Sequence, residues 1–179
     1  MSILKVQQLQ HTNGTVGLDI NTSGVVRIPG HQIQTVSATY STAGSTASTS
    51  PVQAWTGASI TPKYANSLIK VECNWYCMHR DYYDGYAQIY RNGSAINVRK
   101  VIRNAAHEGI AQVNPDVRGA YYCPQWLWQF TESAGGTSQI TYSIYCWTAN
   151  AGQTTWWNDA YSTSAEVPTS TLILTEIAQ

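Results

Sequence analysis

Apolar and polar residues alternate along much of the chain. In "SLIKVECNWYCMH", Ile69, Val71, Cys73, Trp75 and Cys77 fall on one side, and Lys70, Glu72, Asn74 and Tyr76 on the other. A period of two marks a β-strand with one face buried. "QITYSIYCWTA" repeats the pattern, with Ile140, Tyr142, Ile144 and Cys146 on one face. "HQIQTVSATYST", "VQAWTGASITP", "GAYYCPQWLWQFT" and "STLILTEIAQ" read as further strands, and Pro124 places an edge or a bulge in the third of these. "GYAQIYRNGSAINV" carries Asn92-Gly93 between two apolar runs, a hairpin signal. "RKVIRNAAHEGIAQVNPDVR" fits a long loop or a single helical turn, "AGSTASTSP" a flexible loop, and "NAGQTTWWNDAYSTSAEVP" a Trp-rich loop or short hairpin. No segment holds a helical period over about twelve residues. Many short strands separated by turns predict an all-β chain, an antiparallel β-sandwich of jelly-roll type.

The first thirty residues form a unit of their own. Strand-like "ILKVQQLQ", "VGLDI" and "VVRI" are separated by the turns "HTNGT" and "NTSG", and Pro29-Gly30 closes the set. A meander this small needs something to pack against. Residues 1–30 are therefore expected to be an attachment or trimerisation arm, and residues 31–179 the sandwich.

Composition narrows the functional classes. The chain of 179 residues has ten basic and ten acidic side chains, a net charge of +0. It lacks the basic footprint of a nucleic-acid binder. Only 11% of residues are charged, against about 25% in typical globular proteins. Such a surface does little to keep copies apart and suits burial against other subunits. No long apolar run predicts a membrane helix, and "MSILKVQQLQ" has no signal-peptide core. The four cysteines are accordingly expected as reduced thiols. Seven Trp and twelve Tyr against one Phe favour rings that carry a polar handle, as at recognition surfaces and interfaces. Trp126, Trp128 and Phe130 share one strand face and read as core or interface.

The stretch "VECNWYCMHRDYYDGY" gathers Cys73, Cys77, His79 and Asp81 at one parity. A four-ligand metal centre does not fit. Residues four apart on a strand lie about 13 Å from each other, whereas zinc ligands sit about 2.0–2.3 Å from the ion. Cys77 and His79 are also poorly disposed as a catalytic pair, which needs hydrogen-bond contact and an orienting third group. Asp81, Asp84 and Gly85 fit a turn better than a calcium loop. No catalytic motif and no pair of placed carboxylates stands out, so neither an enzyme nor a cofactor is expected. Two ring-and-polar clusters are candidates for a ligand-binding or intersubunit rim. One is Tyr82, Tyr83, Asp84 and Tyr86; the other is Trp156, Trp157, Asn158 and Asp159. Flat rings stack on sugars while Asp and Asn hold hydroxyls; the same rings also pack between subunits.

The opening "LKVQQLQHTNGTVGLDINTSGVV" resembles the N-termini of tail-fibre-like and other virion proteins of aquatic phages, cyanophages among them. "TVSATYSTAGSTASTS", "GASITPKYANSLIKVECN", "AQIYRNGSAI" and "STLILTEIAQ" follow in the order such domains show. Residues 98–168 do not match that pattern. The resemblance implies a virion structural protein, β-sandwich in fold and homotrimeric, assembled in the host cytoplasm. Its expected partners are its own copies, other virion proteins through the N-terminal segment, and a host surface glycan. Within that group, a tail fibre that contributes to attachment and a capsid decoration protein are both represented.

Overall fold

The computed structural model describes residues 8–10, 12, 14, 16–20, 26–79, 85–96, 100–102, 125–159 and 167–179. Near the N-terminus, β1 (Gln8–Gln10), β2 (Val16–Ile20) and β3 (Val26–Arg27) form a small antiparallel sheet in chain order, the meander that the turn spacing predicts. Its end is tied to the C-terminus: the Gly30 N–H donates to the Ala178 carbonyl at 2.8 Å, and the Ala178 N–H to the His31 carbonyl at 2.9 Å.

Two larger antiparallel sheets build the sandwich. The first contains β4 (Gln32–Tyr40), β14 (Ser170–Ile177), β7 (Leu68–His79) and β11 (Gln125–Ser133), side by side in that order. Short strands β13 (Thr155–Trp157) and β5 (Gly44–Thr46) extend it beside the far end of β7. The second sheet contains β6 (Val52–Ile60), β12 (Ile140–Thr148), β8 (Gly85–Arg91) and β10 (Lys100–Ile102), and β9 (Ser94–Ala95) pairs back onto β8. The strand order 4–14–7–11 facing 6–12–8–10 is that of a jelly roll. The hairpin predicted at Asn92-Gly93 is present, and both residues hold positive φ (48° and 80°), as a tight two-residue turn requires.

Alternation accounts for the core. Ile69, Val71, Cys73, Trp75 and Cys77 are fully buried on β7, while the residues between them are partly exposed. Ile140, Tyr142, Ile144 and Cys146 do the same from β12. Between the sheets Tyr40, Trp55 and Trp75 lie nearly parallel, with ring centroids 5.5–6.1 Å apart. Three strands from both sheets are thus joined by aromatic stacking as well as by burial. Cys73 and Cys146 are free and buried, and Cys77 is buried beside them on the inward face; Cys123 lies outside the described residues.

Three expectations differ from what is found. The segment from Arg99 that fits a long loop or helical turn contains β10, which pairs with β8. The Ser/Thr loop contains β5, and the Trp-rich segment contributes β13, which pairs on both sides, with β7 and with β5. Strands of three residues have too little sequence to show a period; their neighbours in the sheet decide them.

At one end the two sheets are joined by polar contacts. The Tyr142 hydroxyl on β12 donates to Glu132 Oε1 on β11, and Arg91 Nη1 on β8 sits 3.2 Å from the same oxygen. Burial, followed by the hydrogen bond and charge of Glu132, pushes the Tyr142 hydroxyl well up, against a smaller lowering by Arg91. Burial, followed by the nearby Cys146, does the same to the Cys73 thiol. The folded chain therefore keeps these protons where the unfolded chain loses them. The stabilisation is complete at neutral pH and is lost as pH rises above about 9, the ordinary thiol and phenol range. The urea midpoint should consequently fall between about pH 7 and about pH 10.5. An equal or higher midpoint in alkali would contradict this assignment.

Candidate functional site

The residues singled out in the sequence separate in the fold. Tyr82, Tyr83 and Asp84 lie outside the described residues, as does Asp81. Tyr86 is the second residue of β8 in the second sheet, whereas Trp156 and its neighbours belong to the first. The described part of one cluster is therefore on a different sheet from the other cluster.

Trp157 and Asn158 are not rim residues. Trp157 is 7% exposed and Asn158 fully buried. The Trp157 indole lies so close over Gly44 that a Cβ there would meet the ring at 2.6 Å. Asn158 holds φ at 45° and completes the first sheet. Its N–H donates to the Tyr76 carbonyl at 3.0 Å and its Nδ2 to the Tyr40 carbonyl at 3.0 Å. Its Oδ1 accepts from Ser170 Oγ at 2.6 Å, and that oxygen in turn accepts from the Tyr76 N–H at 3.1 Å. Strands β13 and β14 meet end to end beside β7, and the Asn158 amide closes the gap between them. A buried side chain with this many partners is structural. Trp156 and Asp159 remain partly exposed beside it.

The metal reading meets the same geometry. Cys73 and Cys77 lie in line on the extended strand β7. Among the described residues, no three His, Cys, Asp or Glu side chains are grouped to hold a metal ion.

What the fold does assemble is the outward face of the second sheet. On β8 the parity that buries Ala87 and Ile89 turns Tyr86, Gln88 and Tyr90 outward; on β12 it turns out Thr141, Ser143, Tyr145 and Trp147. Tyr86 stands opposite Trp147, with ring centroids 5.3 Å apart at a tilt of 34°. Tyr90 stacks on Tyr145 at 3.9 Å and 24°. Beside them the Tyr145 hydroxyl donates to Gln53 Oε1 at 3.1 Å, and Gln53 Nε2 donates to Thr56 Oγ1 at 3.0 Å. Ser59 and Thr141 share a hydrogen bond of 2.7 Å further along the face. Trp147 is largely covered, while Tyr86, Tyr90 and Tyr145 are half-buried. Burial, then the adjacent Tyr145, pushes the Tyr90 hydroxyl up, so it is a neutral donor at physiological pH.

No charged side chain lies on this face among the described residues of β6, β8 and β12. Arg91, the one charged residue of those strands, turns away to the Ser133 and Ala134 carbonyls and to Glu132. Of the four rings, Tyr86 alone belongs to the clusters expected from sequence. The others were readable from the same alternation: if Tyr142, Ile144 and Cys146 point inward, Tyr145 and Trp147 point outward. Rings at outward parity on two paired strands are the signal.

The chain matches no protein family and no curated protein. Among solved structures, it is similar to dimeric latent PorU from Porphyromonas gingivalis, with 8% identity and a TM-score of 0.38. That likeness covers 85% of this chain but 11% of the other. At this level it bears on neither the activity nor the partners of this chain.

Proposed function

We propose that the chain is a phage virion structural protein, a homotrimeric tail-fibre component that contributes to host attachment. The observation that carries this reading is the ring-lined, uncharged outer face of a jelly-roll sheet, an architecture used in capsid and lectin domains. The resemblance of the opening and of the strand motifs to virion proteins of aquatic phages points the same way. So does the charge-poor composition, which suits life among packed subunits. Function here is binding with geometry. Three weak sites on one rigid assembly engage a cell surface together, and avidity replaces strong single contacts.

The outward face of the first sheet favours a second reading, capsid decoration. Thr35, Ser37 and Thr39 on β4 lie beside Thr175, Ile173 and Thr171 on β14, and Leu127 on β11 is 61% exposed. A Thr-rich face with exposed aliphatic groups suits packing against a protein shell.

Light scattering and competition separate these readings. The purified chain at micromolar concentration should be a trimer and should block adsorption of the phage that carries it. A monomer would contradict both virion readings. A trimer that binds purified heads at fixed stoichiometry but does not block adsorption would favour decoration.

A further inference from the structure

The geometry points to the outer face of the second sheet as a binding site for an uncharged oligosaccharide, held along β8 and β12 by Tyr86, Tyr90 and Tyr145 with Gln53 and Gln88. The biological setting rests on the attachment reading above; the chemistry of the face does not.

Four observations favour this occupant. The rings occur in successive rows of two paired strands, and the rows from Tyr86 to Tyr90 span about 13 Å, enough to meet more than one sugar ring. Amides and hydroxyls stand beside the rings: Gln53 on β6 already accepts from Tyr145 and donates to Thr56, so the polar groups are oriented before a ligand arrives. Apolar ring surface beside fixed hydrogen-bonding groups matches a pyranose, which has an apolar face and a hydroxyl rim. The described residues of β6, β8 and β12 put no cation on this face, so those strands offer nothing cationic to a sulfate, phosphate or carboxylate.

Other occupants fit less well. An added peptide strand needs a free sheet edge, and the backbones of β8 and β12 are paired on both sides. A second copy of the chain would bury exposed aliphatic groups; Leu127 and Ile173 lie on the other sheet, and Val52 on β6 pairs with the inward Cys146 and so falls off this face.

The test is a titration of the full chain, by calorimetry, with neutral oligosaccharides (cello-, malto-, xylo-, manno- and galacto-oligomers) and with anionic heparin and hyaluronan fragments. At least one neutral series should bind, and the anionic fragments should not bind more tightly. Tyr145→Ala and Tyr90→Ala should each weaken binding about tenfold or more, as expected for aromatic anchors. If those variants do not fold, Gln53→Ala and Tyr90→Phe, which remove only an exposed amide and a hydroxyl, should still weaken it several-fold. Trp156→Ala on the other sheet should leave it unchanged. Binding confined to anionic fragments, binding indifferent to all four variants, or a change of oligomeric state in Gln53→Ala with glycan binding intact would each overturn the site. Adsorption of the chain to host cells without binding to any neutral series would also overturn it, while leaving attachment standing. Glycan binding without cell adsorption would sink attachment and leave the site.

Discussion

Gly57→Ala should lower the melting temperature by about 10 °C or abolish recovery of folded protein, on the basis of a loss of at least about 3 kcal/mol. Gly57 holds φ at +75°, where an L side chain is strained. It lies where the register between β6 and β12 shifts, between the Ala58–Tyr142 and Trp55–Ile144 pairs, so it forms a bulge. A Cβ at this position would stand 2.0 Å from the Tyr142 carbonyl oxygen and 3.0 Å from Leu172 Cδ2. The first of these neighbours is backbone in the middle of a paired strand and cannot swing aside. Relief would require β6 to leave β12, and Trp55 would then leave its stack with Tyr40 and Trp75. A melting temperature within about 2 °C of the parent would contradict this account of the bulge.

Glu176→Ala should cost about 3 kcal/mol or more, read as a lower urea midpoint with little change in slope. Glu176 is fully buried on β14 at the inward parity of Leu172 and Leu174. Its carboxylate organises the connection from β6 to β7. Oε1 accepts from the Lys63 N–H at 2.8 Å, the Tyr64 N–H at 3.1 Å and Ser67 Oγ at 2.7 Å. Oε2 accepts from Gln34 Nε2 at 2.6 Å. Truncation leaves these donors facing a void, and an unsatisfied buried donor costs about 1–3 kcal/mol. Glu176→Gln should cost less than Glu176→Ala, because one oxygen survives, but its NH2 must face a donor. If the two variants were equally stable, or Glu176→Ala matched the parent, the carboxylate would not be the anchor of this loop.

These two positions also show what the sequence makes legible. The long strands are plain because each has one buried face and a period of two; β7, β8, β12 and β14 all fall where alternation puts them. Both special residues leave a trace in the same pattern. A glycine interrupts the strand "VQAWTGASI", and a carboxylate occupies an inward position in "STLILTEI". The reason for either appears only when the partner strand and the loop are in place. Trp157 and Asn158 are harder still. Their composition suggests an exposed recognition loop, but pairing of β13 with both β7 and β5 turns them inward. The ring face of the second sheet was half legible: parity identifies its members, but only the pairing of β8 with β12 sets Tyr86 opposite Trp147 and stacks Tyr90 on Tyr145.

The central claim, that this jelly roll serves a virion as an attachment module, is tested most directly by locating it in the particle. Antibody fragments raised against the chain, imaged on intact virions by electron cryotomography, should decorate the tail fibres in multiples of three. Label spread over the head in hundreds of copies, or absent from the particle, would contradict it.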